Sequence, residues 1–296
     1  MSLLRDAKTL GLYYGMGLLP TPLCSAIGAR LARRRVPRRQ KLAYARAAAN
    51  IAWLKPELDE EGRAAMLDRA VDNMGRYAGE LCRLSKFDDE GRTEVISVET
   101  VTRLIQAGQP VILAMLHVGN WEVSMSIGRL TGKPTAAIVQ PPATAASRFI
   151  MERMRAYSKL RMLPPGPSSA LEAIAILKRR EAVLGMFMDA QMAQGRVIAP
   201  VFGREMPRKG HNMAHALRFA ALTGAAIVPA LTERLEGAHF RMTILPALDL
   251  PYEQGEGAML DAGLPLLNSM AEDWILPRLD QWHMLFRLGI GEEGRF

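Results

Sequence analysis

Short apolar runs that alternate with helical stretches constrain the fold of this 296-residue chain more than any other feature. The clearest run covers residues 111–116, follows Gly-Gln-Pro, and is typical of a strand buried on both faces of a sheet. Strands that alternate with helices predict an α/β fold, because parallel strands need crossover connections. Further strands are predicted at residues 136–139, 183–188, 197–202, 226–231 and 240–245, and helices at 122–130, 145–157, 170–180 and 212–223.

The N-terminus combines an uncharged stretch, residues 9–29, with a basic cluster, which is typical of a phospholipid-binding segment. Pro20 and Pro22 are expected to break a helix within this stretch, which barely reaches the ~20 residues that cross a bilayer. We therefore expect an interfacial hairpin or monotopic anchor with the basic cluster at the headgroups; a helix packed on the protein's own core is the alternative. The cluster consists of Arg30, Arg33, Arg34, Arg35, Arg38, Arg39 and Lys41.

The remaining segments read as helical, and no linker rich in Pro, Gly or Ser divides the chain. Helices are predicted at residues 42–53, 63–84, 99–107 and 258–287. The simplest organisation is a membrane-surface anchor and basic segment over residues 1–41, followed by a single α/β domain over residues 42–296.

The charge balance restricts the class of partner. With 38 Lys and Arg against 30 Asp and Glu, the formal net charge is +8, which suits an anionic lipid, an anionic substrate or nucleic acid. Nucleic acid is disfavoured, because the chain has neither zinc-finger spacing nor the aromatic-rich basic strand of RNA-recognition folds. The two cysteines, Cys24 and Cys82, lack metal-binding spacing and predict a reducing compartment, hence the cytoplasmic side of a membrane.

The strongest candidate for chemistry is the segment 117–122, which directly follows the clearest strand. Its His117 stands at the carboxyl end of that strand, where reactive groups of α/β sheets lie. Gly119 and Asn120 turn the chain, and Asn120 is expected to cap a helix that begins near Glu122. A histidine can take a proton from a hydroxyl group, and a carboxylate at its other nitrogen stabilises the imidazolium. We therefore predict a general base at His117 with Glu122 beside it; a histidine that only satisfies a backbone group is the alternative.

Residues 116–122, Leu-His-Val-Gly-Asn-Trp-Glu, resemble the His-x4-Asp/Glu motif of glycerolipid and lipid A acyltransferases. Their Gly-Asn-Trp core is particularly similar to the lipid A late acyltransferase (lauroyl/myristoyl) family and its phosphatidylinositol mannoside acyltransferase relatives. The resemblance covers nearly the whole chain and implies a glycerolipid-acyltransferase-like mixed sheet flanked by helices. Further segments resemble landmarks of the family in the same order, at residues 38–56, 73–81, 188–191, 201–203, 223–229 and 277–287.

This resemblance implies an acyltransferase of lipid biosynthesis. An acyl thioester, on acyl carrier protein or coenzyme A, would donate a fatty acyl chain to a hydroxyl of a membrane lipid, such as a lipid A precursor of lipopolysaccharide or a related glycolipid. His117 would act as the general base, and Glu122 would orient His117 or hold the acceptor. The transfer would need no metal and no cofactor beyond the thioester co-substrate. It would take place at the cytoplasmic face of the bacterial inner membrane, on a peripheral or monotopic protein.

Other candidate site residues come from strand ends and from the same resemblance. Asp189 follows a predicted strand and is predicted as a third catalytic residue, and Gln191 lies in the same Asp-Gln block. The family places an essential arginine near the helix at 145–157, where Arg155 matches better than Arg153. The alternatives are a turn-capping role for Asp189 and a solvated charged face for Arg155.

Four more residues are predicted to bind substrate, together with Asn120. Glu205 follows a Val-Phe-Gly segment, near where the mannoside acyltransferase relatives use a carboxylate. Arg208, Lys209 and His211 form a basic loop before a helix, where a phosphate of the donor's pantetheine arm or of a lipid headgroup could bind. Surface charge is the alternative for this loop, and no metal site is predicted there.

Two other functions remain open. The acceptor could be a lysophospholipid or an amino lipid rather than a lipid A precursor, or the fold could serve a non-catalytic lipid-binding protein. An α/β hydrolase is disfavoured, because the chain has no Gly-x-Ser-x-Gly nucleophile elbow.

Overall fold

The computed structural model describes residues 2–190 and 199–290. The break between its first two helices falls at Pro20, as predicted, because proline cannot supply the backbone donor that a continuous helix needs. Within the two described ranges, no helix has the length and apolar character to cross a membrane. The first four helices are α1 (Ser2–Gly17), α2 (Thr21–Arg39), α3 (Lys41–Leu54) and α4 (Glu60–Glu80).

Helix α2 packs against α4 through glycines that bring the two backbones into contact. A side chain at Gly28 would lie only 2.2 Å from the carbonyl oxygen of Gly75, so only glycine permits this close approach. The guanidinium of Arg33, a member of the basic cluster, pairs with Asp72 of α4. Helix α2 is therefore part of the packed body of the protein, whereas the domain boundary after residue 41 stays a prediction.

One mixed sheet runs through the described residues, and its seven strands have the order β1-β7-β6-β2-β5-β3-β4. Strand β2 lies parallel to both of its neighbours, β5 and β6, whereas β7 is antiparallel to β6. The predicted α/β fold with a mixed central sheet is thereby confirmed. The strands are β1 (Thr93–Ile96), β2 (Val111–Met115), β3 (Thr135–Ile138), β4 (Leu160–Leu163), β5 (Val183–Phe187), β6 (Ala226–Arg234) and β7 (Phe240–Ile244).

Helices cover both faces of this sheet. Ile112 and Ala114 of β2 join one apolar core, and Leu113 and Met115 join the other. Strand β2 is therefore buried on both faces, which explains its continuous apolar run. The later helices are α5 (Glu99–Gln106), α6 (Ile127–Thr131), α7 (Ala145–Ser158), α8 (Pro167–Arg179), α9 (Asn212–Thr223) and α10 (Gly255–Ile275). Short 3-10 helices cover Leu81–Lys86, Trp121–Ser126, Tyr252–Gln254, Leu276–Gln281 and His283–Phe286.

The predicted strand at residues 197–202 is wrong where the structure describes it, from residue 199 onward. Pro200 has no N–H to donate to a neighbouring strand. The backbone N–H groups of Val201 and Phe202 instead donate to side chains of α10, at 2.9 and 2.5 Å. The segment is therefore tied to a helix rather than to the sheet.

Strands β1 and β4 are not predicted by the sequence. Each is a four-residue strand at an edge of the sheet. An edge strand is only partly buried, so Glu94 and Arg161 interrupt what would otherwise be recognisable apolar runs.

Candidate active site

The carboxyl ends of β2 and β5 lie side by side, because the two strands pair in parallel with Met115 opposite Phe187. The register continues one residue further, where the backbone N–H of Met188 donates to the Met115 carbonyl at 2.8 Å. His117 and Asp189 each lie two residues beyond the paired positions, so they meet at this edge of the sheet.

Asp189 binds His117 through both of its carboxylate oxygens. Oδ1 accepts a hydrogen bond from the ring Nδ1 at 2.9 Å, and Oδ2 accepts one from the backbone N–H of His117 at 2.9 Å. Trp282 Nε1 also donates to Oδ2, at 2.8 Å. Because an ionised carboxylate can only accept, Nδ1 carries the proton, and Nε2 is left as the basic nitrogen of the ring.

The surroundings of Asp189 keep its carboxylate ionised, although the side chain is fully buried. Burial by itself raises the pKa of Asp189, but the neighbouring His117 and the hydrogen bonds from His117 and Trp282 lower the pKa below its ordinary value. A carboxylate at Nδ1 also fixes the orientation of the imidazole ring. We call this pair the His117–Asp189 dyad.

Aromatic rings hold the imidazole of His117 on two sides. The Phe187 ring stacks on it with the ring centroids 4.0 Å apart, and the Trp121 indole meets it edge-on at 5.3 Å. The His117 side chain nevertheless keeps 17% of its surface exposed. The ring is therefore held in place and still accessible to a substrate.

Residues 277–287, here called the C-terminal clasp, hold the backbone around His117. The N–H of His283 donates to the His117 carbonyl at 2.8 Å, and Val118 forms an antiparallel bridge with Trp282. No role in the site is predicted for Trp282 or His283 from the sequence. The signal that points to both is the resemblance of residues 277–287 to a closing segment of the lipid A late acyltransferase family.

The imidazole of His283 is neutral and packs against the Trp121 indole, which in turn contacts the His117 ring. Burial lowers the pKa of His283 to about 3, and the nearby His117 and Arg287 lower it as well. Its ring centroid lies 4.7 Å from that of Trp121. His283 therefore adds to the rings that surround His117 and carries no charge itself.

Glu122 pairs with Arg155 and not with His117, which corrects the geometry that the turn suggested. Both nitrogens of the Arg155 fork donate to the carboxylate, with Nη2 at 3.0 Å from Oε1. The Tyr77 hydroxyl donates to the same Oε1 at 3.4 Å. Glu122 and Arg155 are both largely buried, at 4% and 11% side-chain exposure. Glu122, five residues after His117, thus belongs to a second charged pair, the Glu122–Arg155 pair.

The indole of Trp121 explains why Glu122 does not reach His117. One side of the indole meets the His117 ring, and its face stacks on Tyr77 with centroids 3.8 Å apart. The Tyr77 hydroxyl contacts Glu122 on the far side of this stack. The Trp121 and Tyr77 rings therefore lie between the His117 imidazole and the Glu122 carboxylate.

Asn120 is fully buried and does not cap the following helix with its side chain, contrary to the prediction. Its Nδ2 donates instead to Oε2 of Glu80, at 3.0 Å, across to the end of α4. Its Oδ1 is buried without a hydrogen-bond partner among the described residues. The Asn120 side chain is therefore anchored to a distant helix, while its backbone carbonyl accepts from the Val123 N–H of the following helix at 3.1 Å.

The other predicted substrate-binding residues lie apart from the dyad, except Gln191, which lies outside the described residues. Glu205 and Lys209 are exposed, and Arg208 forms an exposed ion pair with Asp261 of α10. No hydrogen bond or ion pair joins these three residues to the dyad within residues 2–190 and 199–290.

His211 is buried at the beginning of α9, close to the end of β5. Burial lowers the pKa of His211, and its Nε2 contacts the Pro207 carbonyl at 2.6 Å. The neighbouring Asn212 donates to the carbonyl of Phe187 at 2.8 Å. Since the Phe187 ring stacks on His117, the first turn of α9 adjoins the reactive edge of the sheet.

Comparison with protein families places the chain beside known enzymes. A family model described as bacterial lipid A biosynthesis acyltransferase matches residues 8–288, which is nearly the whole chain and includes both charged pairs. A search of curated proteins gives no match.

Proposed function

Since the chain belongs to the bacterial lipid A biosynthesis acyltransferase family, and is therefore an enzyme that transfers an acyl chain to a lipid, we propose that the His117–Asp189 dyad carries out this transfer. The acceptor is a hydroxyl of a membrane lipid, and the donor is an acyl thioester. The observation that carries the proposal is the two-point contact between Asp189 and His117, which leaves Nε2 free as a base.

In the proposed reaction, Nε2 of His117 takes the proton of the acceptor hydroxyl while that oxygen attacks the thioester carbonyl. The tetrahedral intermediate collapses to the new ester, and the departing thiolate receives the proton from the imidazolium. Asp189 stabilises the imidazolium and holds the ring in the reactive tautomer. The acceptor attacks the thioester directly, so this route has no acyl-enzyme and needs no metal or further cofactor.

Glu122 and Arg155 are proposed to hold the acceptor. Their pairing fixes a guanidinium close to the turn that carries His117, and a forked guanidinium suits hydroxyl, phosphate or carboxylate groups of a lipid headgroup. On the donor side, Arg208, Lys209 and His211 are proposed to meet the phosphate of a pantetheine arm. The support for that role is the position of α9 beside Phe187.

The remaining assignments are proposals of the same kind. Acyl carrier protein or coenzyme A carries the donor chain, and a lipid A precursor is the acceptor that the family favours. Gln191 and Glu205 are proposed to bind substrate as well, whereas Asn120 is fully buried and binds Glu80 instead. A lysophospholipid or an amino lipid is the second candidate acceptor, because a hydroxyl or amine nucleophile would suit the same base.

Transfer between the donor thioester and lipid candidates tests the proposal directly. The purified protein is incubated with acyl carrier protein or coenzyme A thioesters and each hydroxyl lipid in turn, and the lipids are analysed by mass spectrometry. One additional acyl ester and one equivalent of released thiol are expected for the true acceptor. Lipid binding without ester formation would favour the non-catalytic alternative, and release of free fatty acid alone would favour a hydrolase.

We further propose that the protein lies on the cytoplasmic face of the inner membrane, with α1 as its contact. Leu3, Leu4 and Leu12 of this helix are 84%, 68% and 50% exposed. Helix α1 packs against α7, which carries Arg155. A bilayer at α1 would therefore lie near the proposed acceptor site, and the exposed arginines of α2 would face anionic headgroups.

Serine at both Leu4 and Leu12 is expected to weaken binding to anionic lipid vesicles roughly 50-fold, because the exposed parts of the two side chains together contribute about 2.4 kcal/mol when they leave water. A matched control places serine at Leu171 of α8 and Leu222 of α9, which are 71% and 54% exposed. Co-sedimentation with vesicles measures both variants. Equal binding by the two variants would contradict α1 as the membrane contact.

A further inference from the structure

A buried ion pair joins α4 to β6 beside the proposed active site. Arg234, the last residue of β6, donates to both carboxylate oxygens of Glu80 at 2.6 and 2.9 Å. The two side chains are 5% and 0% exposed. Ser25 of α2 donates to Oε1 of Glu80 at 2.7 Å, and Asn120 donates to Oε2 at 3.0 Å. The carboxylate is therefore held by β6, by α2 and by the turn that follows His117.

The backbone of Arg234 is held to the same turn by the C-terminal clasp. The side-chain amide of Gln281 accepts from the backbone N–H of Arg234 at 2.7 Å and donates to the Arg234 carbonyl at 3.1 Å. The backbone carbonyl of Gln281 accepts from the Gly119 N–H at 3.1 Å. Gly119 has φ of +64°, and a side chain there would lie 2.9 Å from the Arg234 nitrogen. Only glycine permits this close approach.

Resting on the function proposed above, we propose that Glu80, Arg234 and Asn120 are positioning residues for the reaction. They set the turn at Gly119 and Asn120, which separates the His117–Asp189 dyad from the Glu122–Arg155 pair. Neither Glu80 nor Asn120 is exposed to substrate, as both are fully buried. Their effect would come from the spacing between the base and the acceptor-binding pair.

The position of this turn affects the rate because the acceptor hydroxyl must reach Nε2 of His117 and the thioester carbonyl at the same time. A displacement of about 1 Å in such an arrangement costs roughly 100-fold in rate. The C-terminal clasp holds the turn at Gly119, and the Asn120 side chain binds the Glu80 carboxylate instead of capping the helix that follows. The Asn120 end of the turn therefore depends on the Glu80 carboxylate, which the buried guanidinium of Arg234 keeps oriented.

Ser25 offers a matched control, because its hydroxyl binds the same Glu80 carboxylate from α2 and not from the turn. Ser25→Ala and Asn120→Ala each remove one side-chain hydrogen bond to that carboxylate. A purely structural network predicts similar consequences for both variants. The positioning role predicts that only Asn120→Ala slows the reaction, while both variants melt a similar few degrees below the wild type.

The experiment measures kcat, the KM of each substrate and the melting temperature for wild type, Asn120→Ala, Ser25→Ala and Arg234→Lys. Asn120→Ala is expected to lower kcat roughly 100-fold with KM within about threefold of wild type, and Ser25→Ala to keep the wild-type kcat. Arg234→Lys keeps the positive charge but loses the two-nitrogen contact with Glu80, so it is expected to lower kcat with little change in KM. If Asn120→Ala does not fold, the kcat of Arg234→Lys tests the positioning role.

Equal losses in Asn120→Ala and Ser25→Ala, or a kcat near wild type in both Asn120→Ala and Arg234→Lys, would overturn the positioning role. His117→Ala in the same assay separates this inference from the proposed function. If His117→Ala is inactive while Asn120→Ala keeps full activity, positioning alone fails. If His117→Ala keeps full activity, the general-base proposal fails, whatever Asn120→Ala shows.

Discussion

Replacing His117 with alanine is expected to lower kcat for acyl transfer by about 10³- to 10⁴-fold, with little change in the KM of either substrate. The variant loses the nitrogen that accepts the hydroxyl proton, whereas the Glu122–Arg155 pair that is proposed to hold the acceptor remains. Initial rates of ester formation at saturating donor and acceptor measure the effect. Because the His117 ring is 17% exposed and lies at a strand end, its loss is not expected to prevent folding.

His239→Ala is the matched control for His117→Ala. His239 is exposed on the turn between β6 and β7 and contacts Arg92 away from the dyad. It is expected to keep the wild-type kcat. If His117→Ala stayed within tenfold of the His239→Ala rate, the hydroxyl would have to be activated by some other group.

Asp189→Asn is expected to have nearly the same effect, a loss of about 10³- to 10⁴-fold in kcat. The isosteric amide has one acceptor oxygen, whereas the Asp189 carboxylate accepts from the ring and backbone of His117 and from Trp282. An amide N–H turned toward Nδ1 would force the ring proton onto Nε2, which could then no longer act as a base. Steady-state rates across the neutral pH range measure the loss.

Trp282→Phe provides the comparison for Asp189→Asn. It removes one hydrogen bond to Oδ2 but leaves the carboxylate and the bond to Nδ1, so the tautomer of His117 is retained. A much smaller loss is expected than for Asp189→Asn. A loss as large as that of Asp189→Asn would show that packing of the clasp, and not the tautomer, controls the rate.

The position of His117, the proposed general base, could be predicted from the sequence because it follows from local patterns. A continuous apolar run predicted β2, and the residue after such a strand lies at the reactive edge of a sheet. The same reasoning placed Asp189 at the end of β5. The pairing of β2 with β5, which makes the two residues neighbours, depends on the strand order, and no local pattern encodes that order.

The contacts that cross between distant elements could not be predicted. Glu122 follows His117 closely enough in sequence to suggest a pair, yet the Trp121 indole separates them and Glu122 meets Arg155 of α7. The Glu80 carboxylate meets Arg234 across 154 residues of sequence. Such pairs depend on the packing of α4 and α7 against the edge of the sheet, which apolar periodicity does not specify.

The most direct test of the central claim, that His117 and Asp189 act as one unit in acyl transfer, is the kcat of the double variant His117→Ala, Asp189→Asn. Removing the base leaves Asp189 with nothing to orient, so the double variant is expected to transfer acyl chains as slowly as His117→Ala alone. Losses that multiply, with the double variant slower than His117→Ala by the full factor of Asp189→Asn, would contradict the claim.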